Sequence, residues 1–543
     1  MTVAMNFGDL YDYVDEQLSP ETVVLIEEDE SGTGRVFTAK EMRESTNNLA
    51  SQLIAMGGSP GDKVAIYSKN RAEYVQALIA IFKARLVHVN VNFRYGPQEL
   101  EYLLDNSDAR FVIFESDYAD HLDAIREQLP LVKNFIEICD DAKPAVDWAV
   151  ALSELSNTGN GEKLAIERSP EDQIFLYTGG TTGMPKAAMW EQYSLWNMIG
   201  VNQKNPELAS PQFPEELALR PKGGGANALV ILPLMHGAGL YTVINALGYG
   251  NTCVLLRTHG FDADVALQCV DKHKIAAITI AGDAFAQPII TAIDAAKGSS
   301  SLASLRFVIS SAMIFSPHNK KALLKHCPEI MIVDNMASSE SSTSAQARSN
   351  KDSTLEDGAV KMQLTPNAKV FTKDLQEVQP GSGEPGFLAI SGTLPLGYYK
   401  DEKKTAETFI TVDGLRYSIP GDWVQLHADR SLTFLGRGNV CINSGGEKIY
   451  PDEIEATLKS HDLVDDCLVV GTPDEKWGQA VTAVVQLAAD AQVEAEILRD
   501  YVRRFVAGYK VPKHVLYVDK VFRGANGKAD YQATKALAEK ELT

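Results

Sequence analysis

The sequence predicts an α/β protein: a large N-terminal domain of mainly parallel sheets flanked by helices, then a small α+β domain. Three observations predict it. Over the first four fifths of the chain, short β-branched apolar runs alternate with amphipathic segments, the pattern of βαβ units. At 543 residues the chain outgrows a single core, so two or more domains are expected. After about residue 437 the rhythm changes, and the glycines at 436, 438, 445 and 446 of GRGNVCINSGGEK mark a joint,. The domains are therefore drawn at 1–437 and 438–543.

Taken in order, KVAIYS (63–68) reads as a strand, NRAEYVQALIAIFKA (70–84) as a helix and LVHVNVN (86–92) as a strand. GPQELEYLLDNSD (96–108) is helical and ARFVIFE (109–115) extended. The alternation resumes with NTCVLLR (251–257), FDADVALQCVDKHK (261–274), IAAITIAG (275–282) and DAFAQPIITAIDAAK (283–297). RFVISSA (306–312), SPHNKKALLKHC (316–327) and EIMIVD (329–334) continue it. Beyond the joint, YPDEIEATLKSH (450–461) is a helix, and VDDCLVVGTPD (464–474) and QAVTAVVQL (479–487) are strands. Two polar, glycine-bearing stretches, 156–163 and 202–227, read as surface loops. The second is open to two readings, a cover for a site or an inert insertion.

Composition narrows the function. With 45% hydrophobic and 23% charged residues the chain is an ordinary globular protein,. A formal net charge of −21 argues against nucleic acid or an acidic membrane as partner. An anionic substrate would then need a local nest of donors. The N-terminus lacks a basic-then-apolar leader, and no apolar run approaches a membrane span,. Six cysteines without CxxC spacing read as free thiols of a reducing cytoplasm, with no zinc site.

The donor nest is found in QIFLYTGGTTGMPKAAMW (173–190). Ile174 to Tyr177 form a buried strand, which glycines then interrupt. The loop exposes backbone N–H groups and threonine hydroxyls and ends on Lys186, the parts that grip a polyphosphate. It is not a Walker loop, because Pro185 rather than glycine precedes the lysine,.

Five further stretches follow in order: PLMHGAG (233–239), NMASSE (335–340), YSIPGD (417–422), GRGNVCINSGGEKIYPDEIE (436–455) and GANGK (524–528). With the opening loop, this set resembles the core motifs of the ANL superfamily of acyl-CoA synthetases, adenylation domains and luciferases. NVNFRY, GYYKDEKKTAETF and INSGGEKIYP are similar to segments of actinobacterial fatty-acyl-CoA and steroid side-chain CoA ligases. The resemblance spans nearly the whole chain. It implies a two-step reaction: ATP and a carboxylic acid give acyl-AMP and pyrophosphate, and coenzyme A then takes the acyl group.

The site residues follow from that resemblance. Thr178, Gly179, Gly180, Thr181, Thr182, Gly183 and Lys186 would hold the β- and γ-phosphates. Glu340, with Thr178, would meet Mg²⁺, a hard ion suited by oxygen ligands, and Ser339 lies beside it in the nucleotide site. Asp422 and Arg437 would hold the ribose, and Ser311, Ala312, Asp334, Asn335 and Met336 would surround the adenine. Met336 stands where most relatives carry an aromatic ring. His236 would border the carboxylate, with Gly282, Asp283 and Ala337 lining the acyl pocket. Ala337 leaves that pocket deep, which suits a long or bulky acid. Lys528 would bridge carboxylate and α-phosphate; the small domain would then rotate about Asn439 so that Ser444, Gly445 and Gly446 line the pantetheine tunnel. Read alone, Glu340, Asp422, Arg437 and Lys528 would each be a solvated charge, and His236 a structural histidine. A carrier protein as acceptor, a luciferase-like oxygenase and a non-catalytic nucleotide-binding homologue stay open as alternatives, and a homodimer is a further expectation.

Overall fold

A computed structural model of the chain describes residues 6–32, 34–140, 144–178, 184–199, 227–258, 260–296, 302–313, 315–355, 361–437, 442–449, 451–459, 461, 463–489, 491–522 and 529–542. They fall into two compact units. One comprises 1–93, 104–177 and 187–435; the other comprises 94–103, 178–186 and 436–543.

The first unit holds two sheets. In the first, the parallel strands run in the order Val23–Asp29, Cys253–Arg257, Asn227–Val230, Ile275–Ile280, Phe307–Ser311 and Met331–Ala337. Past Met331–Ala337 the same sheet turns antiparallel, through Thr343–Ser349, Lys361–Leu364, Ser431–Arg437, Asp422–Leu426 and Pro385–Ser391. The second sheet orders Gly397–Tyr398, Lys186–Glu191, Gln173–Thr178, Val87–Asn90, Lys63–Tyr67, Ala109–Glu115, Asn134–Ile138 and Val150–Ala151. It is parallel from Gln173–Thr178 onward. The apolar runs of the sequence are these strands, and the joining crossovers are the amphipathic helices.

The helix Ala72–Lys83 shows how the core is built. Every residue in it except Glu73 is buried, as a helix packed on nearly all sides requires. Its terminal cation cannot escape to water, so acceptors come to it. Lys83, fully buried, pairs with Asp12 at 3.2 Å and Asp15 at 3.1 Å and donates to Asn47 Oδ1 at 2.9 Å. The polar stretch 156–163 is not loose. Asn47 and Asn48 of the helix Ala39–Ala55 donate to the carbonyls of Gly161 and Ser156. The other stretch read as a loop lies outside the described residues except for Asn227, which opens a strand.

The second unit carries a five-stranded sheet in which Gly478–Leu487 pairs with Val464–Asp474, Ile442–Ser444 and His514–Tyr517. The helices Pro451–Lys459 and Ala495–Arg503 cover it, with Ile454, Leu458, Leu498 and Val502 in one apolar cluster with Val469 and Val481. Cys139, Cys253, Cys269, Cys327 and Cys467 are free thiols, and burial pushes Cys253 and Cys269 up to about 12. Among the described residues no helix is long and apolar enough to cross a membrane.

Candidate active site

Ligands of parallel sheets bind beyond the carboxyl ends of the strands, and several of the predicted residues lie at or just past such ends. Thr178 ends the strand Gln173–Thr178, and Lys186 opens the next one, Lys186–Glu191. Gly179, Gly180, Thr181, Thr182 and Gly183 between them, together with Asn439 and Lys528, lie outside the described residues. Arg437 ends the strand Ser431–Arg437, but its side chain is likewise outside the description. His236, six residues beyond the strand Asn227–Val230, occupies the N-cap position of the helix Gly237–Gly248 without a capping side-chain hydrogen bond.

On the neighbouring strands, Ser311 faces Asn335 and Ser310 faces Asp334 in register. Ala312, just past the strand, has φ +72°, a left-handed conformation that an alanine adopts only at a cost of about 1–2 kcal/mol. Such strain collects at functional sites. Gly282 has φ +52° and ψ −145°, a backbone state closed to other residues. It breaks the chain between Ile275–Ile280 and the helix Asp283–Ala295, and its N–H donates to Ser310 Oγ at 3.2 Å. Asp283 accepts from the Ser316 N–H at 3.0 Å. Gly282 and Asp283, read as pocket residues, thus also fix the turns at the mouth of these strands.

Asp334 is enclosed on its face of the strand. Read as an adenine contact, it is 3% exposed, and its carboxylate pairs with Lys320 at 2.8 Å. Burial pushes that carboxyl above its usual range, against the pull of Lys320. The pair ties this strand to the helix Pro317–His326. Asn335, on the opposite face, is half-buried and accepts from Gln346 at 2.7 Å. Met336 packs against the apolar cluster that includes Ala345, Val424 and Leu432, so it shares a core with the strand that Asp422 opens. Asp422 is half-buried and begins its strand, four strands along the sheet from Met331–Ala337.

Glu340 is placed differently. It lies in the turn that follows Met331–Ala337, half-buried, with Oε1 accepting from the Tyr398 hydroxyl at 2.8 Å. Next to it, the Ser339 carbonyl accepts from Trp190 Nε1 at 2.9 Å. Both anchors come from the second sheet, since Tyr398 pairs with Ala188 on the strand that begins at Lys186. Those two contacts tie the turn of one sheet to the phosphate-loop strand of the other. Tyr241 completes the surroundings. Its hydroxyl is buried without a hydrogen-bond partner among the described residues, and burial, then the charge of Glu340, raises its pKa.

Sequence reasoning missed Tyr398, Trp190 and Tyr241. Tyr398 sits inside the quoted GYYKDEKKTAETF and Trp190 closes the quoted phosphate loop, yet neither carries a chemistry that marks it alone. No three His, Cys, Asp or Glu side chains cluster among the described residues. A Mg²⁺ ion does not require such a cage, because it keeps water and substrate phosphate oxygens and takes one or two carboxylates. Glu340 and the Thr178 hydroxyl are oxygen donors of that kind.

In the second unit the glycine pair has a definite geometric cause. Ser444 and Glu447 face each other across a two-residue turn, with Gly445 at φ +59° and Gly446 at φ +87°. Both signs are those of a type I′ hairpin, which glycine serves best. A Cβ on Gly445 would also lie 2.5 Å from the Trp477 ring. The half-exposed indole beside this turn is a feature that sequence reasoning did not anticipate.

The AMP-binding enzyme family matches residues 15–399 and its C-terminal domain matches 453–528. The chain is similar to the 3-oxocholest-4-en-26-oate–CoA ligase of Rhodococcus rhodochrous, at 38% identity covering 98% of this chain and 96% of that one. A medium/long-chain-fatty-acid–CoA/3-oxocholest-4-en-26-oate–CoA ligase of Mycobacterium tuberculosis is 39% identical over 99% of this chain and 97% of its own. Among solved structures, the amide bond synthetase McbA of Marinactinospora thermotolerans superposes with a TM-score of 0.80 at 20% identity, covering 98% and 99% of the two chains. The chain belongs to the AMP-binding enzyme family.

Proposed function

We propose that this AMP-forming acid–thiol ligase activates a hydrophobic carboxylic acid of the fatty or steroid side-chain type. The observation that carries the reading is the match of 38–39% identity, over nearly the whole chain, to ligases named for such acids. In the first step a carboxylate oxygen bonds to the α-phosphorus of ATP as the bond to pyrophosphate breaks. In the second, the coenzyme A sulfur bonds to the acyl carbon, its proton is released, and AMP departs.

The residues divide that work. The loop from Thr178 to Lys186 gathers the triphosphate, where negative charge must be spread as pyrophosphate leaves. Glu340 and Thr178 would hold Mg²⁺, which when bound would supply further charge neutralisation at the phosphates. Tyr398 keeps Glu340 oriented. Ser311 and Ala312, at a strained strand end, and Asn335 and Met336 on the neighbouring strand border the adenine. Asp422 and Arg437 hold the ribose. His236 and Ala337, exposed at the end of its strand, border the acid. Lys528 serves adenylation, and Ser444, Gly445 and Gly446 serve the thiol step. No general base is needed, because the acid arrives ionised. A cytoplasmic setting belongs to the same reading, and so does assembly as a homodimer.

The test is carboxylate-dependent ATP–pyrophosphate exchange over acids from acetate to long-chain and steroid side-chain acids, followed by detection of AMP and thioester with coenzyme A. Exchange with fatty or steroid acids and thioester formation are expected. Preference for acetate would overturn the substrate class, and exchange without thioester would point to a carrier-protein acceptor. Lys528→Ala should lose exchange while still forming thioester from supplied acyl-AMP.

A further inference from the structure

The segment NVNFRY (90–95) holds none of the residues assigned to the site. Its first residue, Asn90, ends the strand Val87–Asn90 and is 4% exposed. The backbone ladder between this strand and Gln173–Thr178 joins His88 to Ile174 and Val89 to Phe175. Beyond that point the Asn90 side chain takes over. Its Oδ1 accepts from the Tyr177 N–H at 2.7 Å, and its Nδ2 donates to the Tyr177 carbonyl at 3.0 Å. The same Nδ2 donates to the Met235 carbonyl at 2.7 Å. One amide therefore grips the residue before the phosphate loop and the residue before His236.

A second asparagine supplies a natural contrast. Asn70 Nδ2 donates to the Leu232 carbonyl at 3.0 Å, and its Oδ1 accepts from the Leu234 N–H at 2.8 Å. Asn70 holds the same irregular segment ahead of His236, but no hydrogen bond joins it to Tyr177. The two side chains share one target and differ in the other.

We infer that Asn90 is a positioning residue that fixes Tyr177, just before the phosphate loop, against Met235, just before His236, coupling ATP binding to acid binding. Both of its donor hydrogens and its acceptor are in use, so no smaller residue can reproduce the clamp. The two substrates must meet with reacting atoms in register, and a misplacement of about 1 Å can cost on the order of a hundredfold. The inference rests on the proposed adenylation at this site.

The experiment compares Asn90→Ala with Asn70→Ala in the full chain. ATP affinity is read by equilibrium dialysis, and KM for ATP and for the acid by pyrophosphate exchange, with active sites titrated to correct for folded fraction. Asn90→Ala should raise both KM values, each by roughly tenfold, and weaken ATP binding in dialysis. Asn70→Ala should raise only the KM for the acid. Should Asn90→Ala fail to fold, Asn90→Ser, which keeps one hydroxyl, enters the same comparison. Unchanged KM values at titrated sites, or an Asn90 variant that moves only the acid KM as Asn70→Ala does, would overturn the inference. Absence of exchange by the wild-type enzyme would instead strike the adenylation reading, and dialysis would still report on the clamp.

Discussion

The strand Met331–Ala337 and the turn just after it carry two carboxylates six residues apart, and they have opposite fates. Asp334 is sealed in the sheet against Lys320, whereas Glu340 stands half-buried off the end of the strand, with one oxygen on Tyr398. The stretch around them reads as one polar motif. What separates the two is backbone context. A strand paired on both sides hides alternate side chains, while a turn beyond the last ladder bond leaves a side chain able to meet a ligand.

The largest effect should come from breaking the buried half of this comparison. Lys320→Met leaves the Asp334 carboxylate buried without its cation, which costs about 3–5 kcal/mol. The midpoint of urea denaturation should fall accordingly. Adding Asp334→Leu should restore most of the loss, since a well-packed apolar pair can replace a buried ion pair. A single variant as stable as wild type would mean that Asp334 is neutralised by another route.

Breaking the open half should act on rate and spare stability. Glu340→Gln keeps the shape and removes the charge, and exchange should drop by about 10²–10³-fold with an unchanged urea midpoint. A parallel loss of stability would show that Glu340 is structural like Asp334.

Much of the fold was legible because burial on both faces writes itself as continuous apolar runs. Lys63–Tyr67, Ala109–Glu115 and Val464–Asp474 fall where such runs predict strands. The antiparallel continuation from Thr343–Ser349 onward was not anticipated. Thr343–Ser349 is mostly polar, and Lys361–Leu364 alternates exposed with half-buried residues, so they lack the apolar run that marks a parallel strand. The positions of Ser311 and Glu340 at or beyond strand ends followed from motif order. The partner of Asp334 could not, because Lys320 lies fourteen positions back on the helix Pro317–His326 and reads as a surface lysine. Tyr398 was hidden for a similar reason: its link to Glu340 spans 58 residues of sequence.

A change at the boundary between strand and turn should give a smaller and more selective effect. Ala337 is exposed at the last strand position, so Ala337→Trp should fill the pocket entrance without disturbing the sheet. Each excluded methylene removes about 0.8 kcal/mol of burial, so kcat/KM for long acids should fall roughly tenfold to a hundredfold while short acids gain relative preference. A tryptophan variant that takes long acids normally would place the acyl pocket elsewhere.

The smallest expected effect tests how the turn is held. Glu340 owes its orientation to the Tyr398 hydroxyl, whereas the backbone beside it is fixed independently by Trp190 on the Ser339 carbonyl. Tyr398→Phe therefore removes one hydrogen bond and leaves the turn in place. A hydrogen bond to a carboxylate on a part-buried group contributes about 1.5–3 kcal/mol at most, and water can replace part of it here, so exchange should fall roughly threefold to tenfold. The apparent Mg²⁺ requirement should rise with it, because a carboxylate free to rotate meets the ion less often in the productive orientation. Stability should hardly change, in contrast to Lys320→Met. If Tyr398→Phe instead lowered the urea midpoint and left the Mg²⁺ dependence alone, the phenol would be a strut between the sheets, and the orientation of Glu340 would have to come from the turn itself.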